Sequence, residues 1–332
     1  MNHREAILEA VTEAKRVHKS LGSEDLVRAK GGGVDVFGAI RSQKIELLFQ
    51  PLQKLLGGYL PEPVPGILVT SERSLAIQRF TGAHEFGHYV LKHPASLDSS
   101  DILSNDPKSF ARHDLNETAA NAFAGDFLLP FWVFESHAER QGWNADSFID
   151  PLVVYQLSLR VGASFEATTR QLLTHDIIDR ATLTSLLKVS PKSLKQAFLG
   201  GREMEHWRRD VWLLTERDQG TVIQGGPEDI FIFRLKQNSG AGYLWSLDDL
   251  EDLGFSVMFD TVNVPNADVS VGSPIDRFTA AMVTHEATQN VTLIESQPWD
   301  PDSVSKTLSL DFDLFKEKGQ SQNQRRAIAA GV

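Results

Sequence analysis

The 332-residue chain contains no cysteine. Disulfides and thiolate ligands are therefore excluded, and any metal site must be built from histidine and carboxylate. Long apolar runs are also missing. No stretch reaches the ~20 residues that a spanning helix requires, so no membrane association is expected. The N-terminus lacks the apolar core of a secretory signal. Ile7, Ala10, Val11, Ala14, Val17 and Leu21 form a helical stripe ending at Gly22 instead. The expected compartment is cytoplasmic.

Positive charge is in short supply, with 33 Lys+Arg against 44 Asp+Glu and a net charge of −11. The deficit is concentrated at the end. Residues 201–332 hold 12 basic and 21 acidic side chains, or −9, whereas residues 151–200 hold 6 and 3, or +3. Contacts to nucleic-acid phosphates need clustered Lys and Arg, so direct DNA binding is not expected. Gly31-Gly32-Gly33 has no Lys-Ser/Thr partner and is not a phosphate loop.

Against these absences stands one strong motif, His84-Glu85-Phe86-Gly87-His88. It reads H-E-x-x-H within an apolar segment, Leu75 to Leu91, of helical character that Pro94 would stop. Residues four apart on a helix share a face, so His84 and His88 can turn their imidazoles to one metal ion. Glu85 is offset toward a water at the open coordination position, the place of a general base. Gly87 is a poor helix residue and implies close approach of another element to this face.

A zinc ion of this type needs a third protein ligand. Asn116-Glu117-Thr118-Ala119-Ala120-Asn121 opens a second helical run with Phe123, Phe127 and Leu128 as its apolar stripe and Pro130 at its end. Glu117 and Asn121 lie four apart, so Glu117 can ligate while Asn121 accepts a hydrogen bond from the far nitrogen of a ligand histidine. Glu117 also fits a capping box with Asp114, and His113 or Asp114 are rival ligands.

H-E-x-x-H followed by N-E-x-x-A-N resembles the gluzincins, and more closely the ImmA/IrrE metallopeptidases. Phe80 to His88 looks like that family's active helix, and Glu117 to Ala124 continuing through Leu128-Leu129-Pro130 looks like its second helix. Val34-Asp35-Val36-Phe37 and Gly66-Ile67-Leu68-Val69 also fit, and the resemblance spans roughly residues 1 to 200. It implies zinc-dependent cleavage of protein substrates, often repressors of the helix-turn-helix class.

The expected fold class is α+β in three parts. Residues 1–138 read as a zincin-like peptidase domain. A short helix is expected over Val34 to Ile40 and strands over Ile45 to Phe49 and Ile67 to Thr70, with Gly57-Gly58 as punctuation between them. A strand just before the active helix suits a zincin, which aligns an extended substrate on a sheet edge. Residues 139–205 read as a helical, helix-turn-helix-like extension. Val161 to Ala167 resembles the turn of that motif, and with so small a basic excess it reads as packing rather than DNA contact.

Residues 206–332 read as an immunoglobulin-like antiparallel β-sandwich with a polar tail. Thr307 to Leu314 alternates cleanly, and Ile230 to Leu235 is a continuous apolar run suited to a central strand. Val211 to Leu214, Phe255 to Phe259, Phe278 to Val283 and Val291 to Ile294 supply further strands. This part resembles the chagasin-like inhibitors of papain-type cysteine peptidases over about residues 207 to 316. Asn238 to Trp245 looks like that family's N-P-T-T-G-Y-x-W loop, Gln297-Pro298-Trp299-Asp300 like its R-P-W-E loop, and Gly272-Ser273-Pro274 falls near its Gly-rich loop. Ser239, Gly240 and Ala241 replace the Pro-Thr-Thr wedge and Gln297 the Arg, which puts inhibition in doubt. Core packing is the competing account of Tyr243, Trp245 and Trp299.

The expected function is zinc-dependent hydrolysis of a peptide bond in a specific intracellular protein, with a transcriptional repressor as the implied partner. His84, His88 and Glu117 are the expected ligands and Glu85 the expected base. Mn²⁺ or Fe²⁺ also suit His₂Glu ligation. Tyr89, Arg112 and His113 are candidates for a second oxyanion donor. Cysteine-peptidase inhibition and DNA binding are the alternatives. His3, His18, His93, His137, His175 and His206 have no ligand spacing and are expected at the surface or at caps. His285-Glu286 cannot complete a site because Gln289 stands where the second His would be.

Overall fold

The computed structural model describes residues 2–99, 115–204, 206–263, 273–283, 285 and 287–314. They form two compact units, 2–138 with 160–186 and 139–159 with 187–314. Among the described residues, no helix is long and apolar enough to cross a membrane.

The first unit opens with α1 (His3–Leu21), which starts at an Asn2–Glu5 capping box and ends at Gly22 in the left-handed conformation. Ala6, Ala10 and Ala14 make its buried face. Then follow α2 (Ser23–Lys30) and α3 (Val36–Ser42), the latter capped by Asp35 accepting from the Gly38 N–H at 2.9 Å. Strands β1 (Glu46–Gln50), β2 (Leu55–Leu60) and β3 (Gly66–Thr70) precede α4 (Leu75–Val90), and β4 (Ser96–Ser99) follows it. The sheet order is β1-β3-β2-β4, with β1 parallel to β3 and the other pairs antiparallel.

Two expectations need correction here. The strand before the active helix, β3, lies inside the sheet and is not an edge; among the described residues the edges are β1 and β4. Gly57 and Gly58 do not punctuate but sit within β2. A Cβ on Gly57 would meet Thr81 Cγ2 at 2.5 Å and the Leu68 carbonyl at 2.7 Å. The strand lies so close under α4 that only glycine fits.

Helix α5 (Leu115–Leu128) packs on α4 through an aromatic cluster. Phe86 meets Phe123 and Phe127 edge-on, both at 5.7 Å, and Phe123 stacks on Phe127 at 5.4 Å. Gly87 explains itself at this contact. A Cβ there would lie 3.1 Å from the Phe123 ring and 3.3 Å from Ala120 Cα, so the element that approaches closely is α5. Helix α6 (Phe131–Gln141) follows. After α7 (Pro151–Val161), the turn at Gly162 rests on the buried guanidinium of Arg79, and Ser164 caps α8 (Phe165–Thr174) by accepting from the Ala167 N–H at 3.1 Å. Packing, as expected, occupies this turn.

Helix α9 (Arg180–Leu186) closes the first unit; in the second, α10 (Pro191–Phe198) precedes two four-stranded sheets. One contains β5 (Val211–Leu214), β7 (Ile230–Gln237), β10 (Ile275–Val283) and β9 (Phe255–Asn263), in that order. The other contains β6 (Val222–Ile223), β12 (Asp300–Leu314), β11 (Ala287–Gln297) and β8 (Leu244–Trp245). Both contribute to one core, which includes Phe231, Phe233, Leu293, Leu308, Leu310 and Phe312. A second cluster with Ile230, Ile232 and Leu199 covers the opposite face of β7. Burial on both faces is why this strand reads as an unbroken apolar run.

The antiparallel expectation is corrected. β5 runs parallel to β7 and β6 parallel to β12, so the sheets are mixed. Alternation fixes which side chains face the core, as Leu308, Leu310, Phe312 and Leu314 do, but it does not fix strand direction. The described architecture is mixed α+β. Gly272 and the tail from 318 onward lie outside the described residues.

Candidate metal centre

Helix α4 is buried almost all round at the motif, and His84, Glu85 and His88 are each at most 1% exposed. Burying three ionisable side chains is costly unless they are paired or bind a cation. Glu117, in the first turn of α5, brings its carboxylate to the same point. Its Oε2 lies 3.3 Å from His84 Nε2 and its Oε1 3.5 Å from His88 Nε2. The two Nε2 atoms are 3.1 Å apart. Among the described residues, these three side chains are the one group with donors clustered for a metal ion. Tetrahedral Zn²⁺ with bonds of about 2.0–2.2 Å has donor–donor edges of about 3.3–3.5 Å; the two histidine–carboxylate distances, one to each oxygen of Glu117, fall in that range, and the Nε2 atoms at 3.1 Å lie slightly closer.

The outer contacts fix the ring orientations. His84 Nδ1 donates to Asn121 Oδ1 at 3.0 Å, as the spacing of Glu117 and Asn121 predicts. With its proton on Nδ1, His84 turns the lone pair of Nε2 toward Glu117. His88 Nδ1 faces His93 Nδ1 at 3.1 Å. Glu85 accepts from Ser96 Oγ at 2.8 Å, and its Oε1 lies 3.1 Å from the position a Gly57 Cβ would take.

Arg79 ties the helix to its surroundings by donating from Nη2 to the Val34 carbonyl at 2.7 Å; burial lowers its guanidinium pKa. The ring of Tyr89 stacks on Phe86 and meets Tyr59 edge-on. Arg112, His113 and Asp114, the remaining oxyanion candidates and rival ligands, lie outside the described residues.

Sequence reasoning missed His93, Ser96 and Gly57. His93 is half-buried rather than exposed. Lys92 takes a left-handed conformation (φ 58°), and the Lys92 and His93 N–H groups bond the Tyr89 and His88 carbonyls at 3.1 and 2.9 Å. This C-terminal hairpin of hydrogen bonds folds His93 back over the last turn. A non-glycine residue at the left-handed position left no signal to read. His18 and His137 are fully buried, the first stacked on Phe127 at 4.6 Å and the second bonded to the Gly32 carbonyl at 3.0 Å. His175 does act at a helix end, bonding the Leu129 carbonyl at 2.8 Å.

In the second unit, Trp245 is a core residue at 2% exposed, whereas Trp299 is 72% exposed and is not. It stands at the turn between β11 and β12, against Gly242, and Gln297 donates to the Ala241 carbonyl at 3.0 Å. The two stretches that resemble inhibitor loops are therefore neighbours.

Residues 41–173 match the peptidase family model described as IrrE N-terminal-like domain. No curated protein matches the chain. Among solved structures, part of the chain has weak similarity to the cysteine protease inhibitor EhICP2 from Entamoeba histolytica, at 20% identity over 32% of this chain and 96% of that one, with a TM-score of 0.27. Amebosin gives 21% identity, 32% and 97% coverage and a TM-score of 0.27. PbICP-C, solved in complex with falcipain-2, gives 16%, 32%, 90% and 0.21. His84, His88 and Glu117 all lie within the family match, and together the match and the donor cluster identify the chain as a metallopeptidase with an IrrE N-terminal-like domain.

Proposed function

We propose that the protein is a cytoplasmic zinc endopeptidase that cuts a specific intracellular protein, in keeping with the family resemblance a transcriptional repressor of the helix-turn-helix class. Residues 1–138 carry the chemistry, 139–205 extend the helical scaffold, and 206–332 select or gate the substrate. One observation supports this above all: two buried histidines and a glutamate converge their donor atoms on one point, one residue from a buried second glutamate.

His84, His88 and Glu117 hold the metal, for which Mn²⁺ or Fe²⁺ are the other candidates. When bound, it polarises the scissile carbonyl and makes a water nucleophilic near neutral pH. Glu85 takes the proton of the attacking water and delivers it to the leaving amine, which requires the ionised carboxylate at the start of the cycle. Ser96 keeps Glu85 in place. The substrate lies extended along β4, the sheet edge that begins at Ser96, and pairs with it through backbone hydrogen bonds.

The first test is metal content by mass spectrometry on wild type and on Glu117→Ala. About one equivalent of zinc in wild type, lost in the variant, supports the three-ligand site. Protein that stays metal-free when zinc is supplied sinks the reading.

The exposure of Trp299 beside the Asn238–Tyr243 loop favours a second reading, in which this unit binds a papain-like peptidase. Mixing the purified chain with such an enzyme decides it, since absence of inhibition at micromolar concentration removes it.

A further inference from the structure

The four residues His93-Pro94-Ala95-Ser96 touch the metal centre twice. At one end, the imidazole of His93 meets that of His88 at 3.1 Å between Nδ1 atoms. The same two residues are joined by backbone, His93 N–H to His88 carbonyl at 2.9 Å. At the other end, Ser96 gives its hydroxyl proton to Glu85 Oε2 at 2.8 Å. Ser96 also begins β4, where it pairs with Tyr59 of β2.

The chemistry of each contact is directional. Of two facing Nδ1 atoms, one carries the proton and the other accepts it. His88 can offer a lone pair at Nε2 only if its own proton sits on Nδ1. His88 is therefore the donor and His93 the acceptor, with the His93 proton on Nε2. Ser96, in turn, approaches one oxygen of Glu85, while the other lies over the backbone at Gly57. The carboxylate is bracketed between a hydroxyl and a strand with no side chain at that point.

Resting on the zinc-peptidase reading above, we propose that His93 to Ser96 is a positioning strap with divided labour: His93 sets the tautomer and orientation of His88, and Ser96 sets the orientation of Glu85. Because β4 continues from Ser96, a peptide paired along that edge bears directly on the residue that holds the base.

The division makes the proposal testable on the full chain. Zinc affinity is measured by competition with a chromogenic chelator. On the zinc-loaded protein, binding of leucine hydroxamate is measured as well, since its hydroxyl proton is accepted by the base. His93→Ala is expected to lose 10- to 100-fold in zinc affinity, as supporting partners of metal-bound histidine do when removed. His93→Asn, which restores an acceptor, recovers most of it. Ser96→Ala keeps its zinc affinity and loses about tenfold in hydroxamate affinity, the order expected for one hydrogen bond to a charged group. Ser96→Thr recovers it. Melting of the metal-free variants, unchanged from wild type, separates positioning from general stability.

Equal losses of zinc affinity in both alanine variants, or losses that track melting temperature, would overturn the strap. Wild-type zinc affinity in His93→Ala would do the same while leaving the metallopeptidase reading intact. A wild type that takes up no zinc overturns that reading itself.

Discussion

Both units bury glutamate, and for different ends. In the peptidase unit Glu85 is fully buried, accepts from a serine hydroxyl and lies next in sequence to a histidine of the donor cluster. In the β unit Glu295 is also fully buried, but it accepts from the Asn238 N–H at 2.7 Å and the Asn238 side chain at 3.1 Å, with Lys306 at 3.7 Å. Asp229 is held in the same way, by the Gly226 and Asp210 N–H groups and the indole of Trp212. Carboxylates tied to backbone donors fix loops. On the proposed mechanism, a carboxylate bonded to a side-chain hydroxyl beside histidines that point at one locus is placed for chemistry. The surroundings of a buried charge, rather than burial alone, separate structural from reactive roles.

The sharpest test of that comparison is Glu85→Gln. The amide keeps the shape and cannot take a proton. Turnover is expected to fall by roughly 10²- to 10⁴-fold, the usual worth of a general base, with zinc content unchanged. Cleavage assays with parallel metal analysis check it. Wild-type turnover would remove Glu85 from the mechanism and collapse the distinction between the two units.

The two tryptophans of the β unit give the next largest contrast. Trp245→Ala empties a core position and is expected to cost about 3–5 kcal/mol. Trp299→Ala removes an exposed ring and is expected to stay within about 0.5 kcal/mol. Chemical denaturation reads both. A large loss for Trp299 would show that it supports the fold rather than facing a partner.

His18 tests the comparison from inside the peptidase unit, because it is buried there without a role in the chemistry. Burial against Phe127 and Trp132 pushes its imidazole down to about 4. In the unfolded chain it titrates near 6.5. Between these values the unfolded state binds the extra proton. Stability is therefore complete above about pH 6.5 and falls as pH drops toward 4, by about 3 kcal/mol in total. Urea unfolding across that range, compared with His18→Phe, isolates the effect. Identical pH slopes in the two proteins would mean that His18 is not held neutral.

These cases also show what could be read in advance. The two helices of the donor cluster were legible because residues four apart share a helix face, so His84 and His88, then Glu117 and Asn121, announce themselves by spacing. Helix bounds came close, with Leu75–Val90 observed against Leu75 to Leu91 expected. What escaped depends on contacts distant in sequence or on backbone conformations that residue type does not mark. Gly57 looked like a break because the helix that requires it begins eighteen positions later, at Leu75. His93 looked like a surface residue because the left-handed turn before it is made by a lysine. The parallel pairing of the short β5 and β6 strands leaves no trace in alternation.

The first substitution can also be repeated in the other unit. Glu295→Gln retains an acceptor oxygen for the Asn238 N–H, but it turns an amide N–H₂ toward one of the Asn238 donors and gives up the charge opposite Lys306. A buried donor facing a donor costs roughly 1–3 kcal/mol. The Asn238–Tyr243 loop should loosen, seen as faster amide exchange there, while zinc affinity stays at the wild-type value. Glu→Gln in either unit would then leave zinc binding unchanged, lower turnover in one case and loosen a loop in the other. If Glu295→Gln instead lowered turnover as Glu85→Gln does, the loop anchored by Glu295 would belong to the catalytic machinery, and the separation of buried carboxylates into two kinds would fail.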